Sequence, residues 1–233
     1  MPSSIFLEIS VETSEAAVAA ERGGAQRIEL CADLPSGGLT PSEDLMRTAR
    51  AKVTLPIFAM IRPRAGNFVY SAQEVARMHT EIDTAKRHGM DGIVLGLLTK
   101  DRRVDIERTR ELVKTARPLP VTFHRAFDDA ADLNVALEDV IAADAARILT
   151  SGGAATAPAG IARLARLVAA AKDRMVILPG GGINASNAVD VARQTGALEL
   201  HSALGSVLAY GQEDYDLFES EVRKLAAQLA TAA

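Results

Sequence analysis

Short apolar runs alternate with longer amphipathic stretches about every 25 to 35 residues, which is the pattern of repeated βα units. Eight of the apolar runs have the length and composition of a β-strand. They are Ile5–Val11, Arg27–Cys31, Ile57–Arg62, Gly92–Leu97, Val121–His124, Arg147–Thr150, Met175–Leu178 and Leu198–His201. A helical pattern follows each run, so the alternation predicts eight strand–helix units.

The number and spacing of these units favour one fold class. Eight βα units in 233 residues, with no Pro/Gly/Ser-rich linker, predict an α/β chain folded as a single (β/α)8 barrel over residues 1–233. A doubly wound open sheet is the rival, but it usually has a glycine-rich loop after its first strand, and Glu12–Ser14 contains no glycine. The alanine-rich tail at 226–233 is expected to fray beyond the last helix.

Composition and charge exclude some classes of binding partner but do not distinguish between folds. The net charge is −4 and the charges are mixed, without the basic stripe of a nucleic-acid surface. No apolar run approaches the roughly 18 residues that a membrane-spanning helix needs, and residues 1–4 lack the basic start of a secretory signal. The single cysteine, Cys31, excludes an internal disulfide and fits a reducing compartment. We therefore expect a cytoplasmic protein with no nucleic-acid or membrane partner.

Strand residues in a barrel point alternately to the helices and to the interior. If the apolar residues of each strand face the helices, the other residues face inward. The inward positions are then Phe6, Glu8 and Ser10; Arg27, Glu29 and Cys31; Phe58, Met60 and Arg62; Thr122 and His124; and Glu199 and His201. The glutamates and histidines of the strands therefore converge on one cavity, mostly near the carboxyl ends of the strands, where barrel active sites lie.

Several of these residues are candidates for chemistry. Glu8, Glu29 and His124 suit general acid–base catalysis, because proton transfer needs titratable groups that meet at one atom. With His201 they also form a possible ligand set for a divalent ion in a metal-assisted isomerase or epimerase. A structural alternative stays open, in which Glu29 or Glu199 forms an ion pair inside the lower barrel. All six lysines lie on predicted helices or loops, which argues against a Schiff-base aldolase.

Two glycine runs, Thr150–Gly153 and Pro179–Gly182, close strands that lie one βα unit apart. Glycine lets backbone N–H groups approach a ligand, and paired turns near the last strands of a barrel often hold a phosphate. We expect the anion to meet the backbone of both turns and the charge of nearby arginines. The residues are Ser151, Gly152, Gly153, Gly180, Gly181 and Gly182, with Arg62, Arg64 and Arg125. Two long loops, Ala32–Leu39 and Pro63–Tyr70, would cover this pocket.

Eight short motifs, in order along residues 5–205, resemble the CutC family. They are Leu7–Val11, Arg22–Cys31, Gly37–Pro41, Met60–Arg64, Asn67–Tyr70, Pro120–Phe127, Leu149–Gly153 and Pro179–Gly182. The resemblance implies a cytoplasmic TIM-like barrel, usually oligomeric, that has a role in copper homeostasis and binds copper.

One departure from the family bears on copper. The family often has cysteine where this chain has Ser10, beside the cysteine retained as Cys31. Copper(I) prefers sulfur ligands, and Ser10 makes a two-cysteine clamp within one chain impossible. The remaining candidate copper ligands are Cys31, His124 and His201, with Met60 as a further sulfur.

Two functions follow from these observations. The first is a copper-binding homeostasis protein, as the resemblance implies. The second is an enzyme or a sensor for a small phosphorylated or carboxylated metabolite, and turnover alone separates an enzyme from a sensor. In either case the partner is a small anion or a metal ion, and we expect a homo-oligomer.

Overall fold

Eight parallel β-strands form the inner ring of the computed structural model, which describes residues 5–204 and 214–231. The strands are β1 (Phe6–Val11), β2 (Arg27–Leu30), β3 (Ile57–Met60), β4 (Gly92–Leu95), β5 (Val121–Phe123), β6 (Arg147–Thr150), β7 (Val176–Pro179) and β8 (Glu199–Ser202). Hydrogen bonds join them in the order β7-β6-β5-β4-β3-β2-β1-β8, and β7 lies beside β8, so that the ring is nearly closed. The predicted barrel is confirmed, and the ends of each predicted strand are within two residues of those observed.

Eight α-helices alternate with the strands. They are α1 (Ser14–Gly23), α2 (Glu43–Lys52), α3 (Ala72–Arg87), α4 (Ile106–Ala116), α5 (Leu133–Ala142), α6 (Ile161–Ala171), α7 (Ala188–Thr195) and α8 (Tyr215–Ala230). Helix α3 begins with the predicted capping box, in which Ser71 and Glu74 satisfy each other's backbone N–H groups. Among the described residues, every helix is too short or too polar to cross a membrane.

The last helix ends later than the sequence suggests. The tail was expected to fray from Ala226, whereas α8 continues to Ala230. Leu225 and Leu229 are fully buried in the hydrophobic core on the outer face of the barrel, and this contact holds the final turns in place.

The parallel register of the first strands brings charged residues together. Leu7 and Ile9 of β1 lie in the core between the ring and the helices, so the residues between them point into the barrel. Glu8 lies opposite Arg27 of β2 on one side and His201 of β8 on the other. The pairing follows from strand parity together with this register.

Candidate functional site

The lower half of the barrel interior contains a network of ion pairs. Arg27 Nε donates to Glu8 Oε2, and Arg27 Nη2 donates to Glu199 Oε2 over 2.7 Å. Glu199 also accepts from Arg147 Nε over 3.2 Å. The Arg27 guanidinium lies over the Phe58 ring, 4.9 Å from its centroid. These pairs give Glu199 the structural role that the sequence left open, because its carboxylate faces two arginines.

The middle of the barrel holds a chain of carboxylates and histidine above this network. His201 Nδ1 lies 2.7 Å from Glu8 Oε1, and His201 Nε2 lies 3.8 Å from Glu29 Oε2. Ser10 Oγ donates to the same Glu29 oxygen over 2.7 Å. The second oxygen of Glu29, Oε1, is buried and has no hydrogen-bond partner among the described residues. Glu29 therefore has one oxygen anchored and one available.

The surroundings shift the pKa values of Glu8, Glu29 and His201 in different directions. Burial alone would raise the pKa of Glu8, but Arg27 and His201 outweigh burial and hold this pKa at about 2. Burial raises the pKa of Glu29, and the neighbouring charge of Glu8 adds to the rise. Burial would lower the pKa of His201, yet the charges of Glu29 and Glu8 raise it. Glu8 is thus a fixed anion, while Glu29 is the carboxyl group that can take up a proton.

A cavity of about 370 Å³ opens above Glu29 at the carboxyl ends of the strands. Both long loops that the sequence singled out contribute to its wall. The lining residues are Ser10, Glu29, Leu34, Ser36, Gly37, Met60, Arg62, Phe68, His124, Arg125, Asp128, Asp129, Leu149, Gly181, Gly182, His201 and Ala203. The cavity lies where barrel enzymes bind their substrates.

His124 faces this cavity as a neutral hydrogen-bond donor. Its Nδ1 accepts the N–H of Ala126 over 3.1 Å, so the proton of the neutral ring must lie on Nε2. Burial, reinforced by the charge of Arg62, lowers the pKa of His124 to about 3. Nε2 is buried and lacks a partner within the described chain, and the Phe68 ring packs 5.0 Å from the imidazole.

Arg62 brings an unpaired positive charge to the same cavity. Its residue surface is only 5% exposed, and in the part of the chain that the structure describes it has no carboxylate within ion-pair distance. Its Nη1 donates to the carbonyl groups of Ser36 and Gly38, and its Nη2 donates to that of Gly66. Arg62 therefore ties the two long loops together. Its Nε is buried without an acceptor in residues 5–204 or 214–231.

The first glycine turn is occupied by a side chain of the protein itself. The carboxylate of Asp128 accepts hydrogen bonds from the N–H groups of Ser151 and Gly153, at 3.1 and 2.9 Å. It also accepts from the hydroxyl groups of Thr150 and Ser151 and from Arg125 Nε. The Gly152 N–H donates to Thr150 Oγ1 over 2.8 Å. The amides that were predicted to bind an anion thus already meet acceptors.

The remaining predicted anion-binding residues are divided between the cavity and other places. Gly181 and Gly182 line the cavity, whereas the N–H of Gly180 donates to the Thr150 carbonyl within the ring. Arg125 lines the cavity but is held by Asp128 and Ser151. Arg64 lies outside the lining and bonds to Glu74 and to loop carbonyl groups. Of the three predicted arginines, all within the described residues, Arg62 is the one that is buried and lines the cavity.

The candidate metal ligands do not form one group. His201 lies with Glu8 and Glu29, whose ligand atoms are all within 4.8 Å of one another, whereas Cys31 and His124 lie outside that set. A divalent ion there would have to break the Glu8–His201 hydrogen bond and would lie close to the Arg27 charge. Glu29 Oε1 is available, but Glu8 and His201 already bond to each other and Arg27 holds Glu8, so the set fits an internal ion-pair chain better than a cation site.

Cys31 is fully buried beside the cavity rather than on its wall. Its Sγ lies 3.6 Å from both Ser10 Oγ and the Val11 carbonyl oxygen, and its side chain packs in a small cluster with Phe58 and Met60. Burial, with the charge of Glu29 adding to it, raises the pKa of the thiol well above its usual range. The sulfur is therefore a protonated thiol.

Sequence reasoning missed Asp128 and Arg147. Asp128 lies five residues after the end of β5, within a short 3-10 helix (Arg125–Asp129). Its position in the loop after a strand could have predicted that it lies at the mouth of the barrel. Arg147 opens β6 with the inward parity and could have been included with Arg27. The side-chain reach of Asp128 to the next loop carries no signal in the sequence pattern.

Comparisons with known proteins agree on one family. The CutC family model matches residues 5–206. A "family protein CutC" of Chromobacterium violaceum is 47% identical over 203 residues, which cover 87% of this chain and 82% of the relative. The human "Copper homeostasis protein cutC homolog" is 44% identical over 208 residues, which cover 89% of this chain and 76% of the relative.

Solved structures give the same result for the fold. The crystal structure of the putative copper homeostasis protein CutC from Streptococcus agalactiae has a TM-score of 0.80 at 32% identity and covers 85% of this chain and 98% of its own. Thiamine phosphate pyrophosphorylase from Pyrococcus furiosus has a TM-score of 0.65 at 18% identity, covering 99% and 97%, which shows a shared fold alone.

Proposed function

The chain belongs to the CutC family, and on that premise we propose that it binds a small anionic carbonyl compound and moves a proton on it, as an isomerase or epimerase does. One observation carries the proposal. Three residues that line one cavity, Glu29, His124 and Arg62, each have a buried polar atom (Oε1, Nε2 and Nε) without a hydrogen-bond partner in the described chain. Buried polar groups are normally paired, so a ligand that pairs all three is expected.

The lone charge of Arg62 supports an anionic ligand. A buried guanidinium without a carboxylate is costly, and a bound anion would offset that cost. Three carbonyl groups accept from Nη1 and Nη2 and fix the orientation of the Arg62 guanidinium without neutralising its charge. The cavity of about 370 Å³ suits a small metabolite, and Phe68, Met60 and Leu34 give it an apolar side.

Glu29 and His124 support proton transfer at the carbon beside a carbonyl group. As a carboxylate, Glu29 would accept the proton at Oε1 when the C–H bond breaks. The electron pair of that bond would form a C=C bond as the carbonyl π pair moves to oxygen, and the Nε2–H of His124 would donate a hydrogen bond to the resulting enolate oxygen. Return of the proton to another carbon or to the other face completes an isomerisation or epimerisation, with no change in oxidation state overall.

The residues beneath Glu29 have a supporting role in this scheme. Glu8 holds His201 through Nδ1, which directs Nε2 toward Glu29, and Ser10 orients the Glu29 carboxyl group. The raised pKa of Glu29 brings it closer to the operating pH, where a general base is most effective.

Exchange of carbon-bound hydrogen tests the proposal without knowledge of the natural substrate. The native protein in D₂O is incubated with hydroxypyruvate or pyruvate, two small 2-oxo carboxylates, and loss of the carbon-bound ¹H signals is followed by NMR. We expect catalysed exchange that falls at least about 100-fold in Glu29→Gln, as is typical for loss of a general base. Glu107→Gln, an exposed glutamate, is the matched control. Exchange at the uncatalysed rate with both probes, or equal exchange in Glu29→Gln, contradicts the proposal.

Copper(I) binding is a second candidate, which the names of the human and mouse relatives suggest. The observation that favours it is that two sulfur residues, Cys31 and Met60, belong to one small buried cluster. Sulfur is the ligand that copper(I) prefers. Because the pKa of Cys31 is raised, copper must displace the thiol proton, and binding should strengthen as pH rises.

An anaerobic competition titration against a chromogenic copper(I) chelator tests this candidate. The native chain, Cys31→Ser and Met60→Leu are compared at two pH values. Stoichiometric binding that is lost in Cys31→Ser supports a copper site at this cluster. Binding no stronger than the chelator background, or binding that survives in Cys31→Ser, shows that Cys31 is not a copper ligand.

A further inference from the structure

Asp128 occupies the anion position of the first glycine turn, and from this contact we propose that Asp128 determines which ligands the cavity admits. Its carboxylate excludes phosphate and other anions from the Ser151–Gly153 amides, so that the ligand's own negative group pairs with Arg62. This inference rests on the proposed function for the identity of the site. It adds the position of the ligand's negative group, which lies on the Arg62 side of the cavity and not at the glycine turn.

The turn after β6 has the geometry of an anion site. Gly152 and Gly153 are both in the left-handed region, with φ of 73° and 68°, and the N–H groups of Ser151 and Gly153 meet at one carboxylate. In other barrels and loops such a concavity holds a phosphate or another anion. Here the point is filled, because the side chain of Asp128 is only 8% exposed and reaches it from the loop after β5.

The donors around Asp128 leave little capacity for a second anion. Its two oxygens accept from two backbone N–H groups, two hydroxyl groups and the Arg125 guanidinium. Arg125 also donates to Ser151 Oγ over 3.0 Å, so one of the cavity's two arginines is committed to this contact. A phosphate brought to the same turn would meet the negative charge of Asp128 and find its donors in use.

Arg62 differs from Arg125 in this respect. It has no carboxylate within ion-pair distance in residues 5–204 and 214–231, and it is 5% exposed, whereas the Arg125 side chain is 43% exposed and paired. Asp128 thereby makes the two sides of the cavity unequal. On one side, Arg125 is paired with Asp128, and on the other side Arg62 has no carboxylate partner in the described chain. The anionic group of the ligand therefore binds at Arg62.

The test removes the Asp128 carboxylate from the Ser151–Gly153 turn and measures whether phosphate then binds to the amides of this turn. Inorganic phosphate is titrated into native protein and into Asp128→Ala and Asp128→Ser, and the ¹⁵N-TROSY signals of Ser151, Gly152 and Gly153 are followed. In the native protein we expect these signals to stay unchanged. In either variant that folds, we expect saturable shifts of the three amides and a phosphate affinity at least about tenfold higher than native. Adding Arg125→Ala to the variant should remove most of that gain.

The outcomes separate this inference from the proposed function. Saturable phosphate shifts of Ser151 and Gly153 in the native protein overturn the inference, and so does a folded variant in which these amides do not respond. If both variants fail to fold, the native titration decides alone, since phosphate either reaches these amides or does not. Hydrogen exchange into 2-oxo carboxylates tests the proposed function in the native protein, and its result does not depend on the phosphate titration.

Discussion

The lower and upper halves of the barrel interior contain the same kinds of residue but differ in how fully the charges of those residues are paired. Below, Arg27 lies between Glu8 and Glu199, and each charge meets an opposite charge of the chain itself. Above, Glu29 and Arg62 keep buried atoms without partners in the described chain. A buried charge is therefore not in itself a sign of function. Glu29 and Arg62 have unpartnered buried atoms and line the cavity, which points to a ligand, whereas Arg147, whose Nη1 also lacks a partner in the described chain, is held by Glu199 in the lower network.

Breaking the lower network should have the largest effect on stability. In Arg27→Met, the carboxylates of Glu8 and Glu199 lose their main partner while staying inside the barrel. We expect the free energy of unfolding to fall by about 3–5 kcal/mol, the range for one partner removed from a buried pair. Urea unfolding measures the loss. Arg174→Met, which breaks an exposed pair with Glu138, is the control and should unfold near the native midpoint. Equal midpoints for both variants would contradict the structural role.

Acid should reveal the contribution of Glu8. Its pKa is lowered from 4.5 to about 2, so the stability that its ionised form contributes is complete above 4.5 and is lost as the pH falls toward 2. A shift of this size corresponds to about 3 kcal/mol. In Glu8→Gln that acid-dependent loss should be absent, and the variant should be less stable than native at neutral pH. Unfolding curves from pH 2 to pH 7 check this. An unchanged acid limb in the variant would show that Glu8 is not the anion of the network.

Glu29 should respond to pH in the opposite direction, although the effect is smaller. Its pKa is raised, so its contribution to stability is complete below 4.5 and is lost as the pH rises through the folded-state value. Glu29→Gln, which mimics the neutral carboxyl group, should therefore be as stable as native at neutral pH, or more stable by up to about 1 kcal/mol. The same pH series measures it. A clear loss of stability at neutral pH would mean that Glu29 belongs with the paired charges of the lower half.

The smallest effect is expected at Arg64, which the sequence placed beside Arg62 as an anion-binding residue. Arg64 bonds to Glu74 and to loop carbonyl groups and does not line the cavity. We expect Arg64→Ala to leave the unfolding midpoint nearly unchanged, because exposed ion pairs contribute little. A large destabilisation in this variant would show that the loop anchored by Arg64 supports the barrel.

The sequence predicted the parts of the site that depend on periodicity. Strand parity brought Glu8, Glu29 and His124 to one interior, and the two long loops were expected above it. Periodicity tells which side chains point inward but not which of them form ion pairs. It therefore could not show that Arg27 pairs with Glu8 while Arg62 has no carboxylate partner in the described chain. The identity of the partner depends on register and on side-chain reach, both of which need the folded ring.

Asp128 illustrates the same limit in the loops. The glycine pattern of Thr150–Gly153 predicts a turn whose amides meet an anion, but the pattern does not tell that the carboxylate of Asp128 meets the amides of Ser151 and Gly153. That answer lies in a residue more than twenty positions earlier in the chain. The end of α8 is a simpler case, since alanine-rich composition suggested fraying while the burial of Leu229 extends the helix.

Calorimetric titration with oxalate decides whether the cavity in the upper half of the barrel binds an anion at Arg62. Oxalate resembles the planar enolate of a 2-oxo carboxylate, and it is titrated into native protein, Arg62→Ala and Arg64→Ala. We expect saturable binding to the native protein, a loss of at least about tenfold in affinity in Arg62→Ala and little change in Arg64→Ala. No saturable binding to the native protein, or equal affinity in all three proteins, would contradict it.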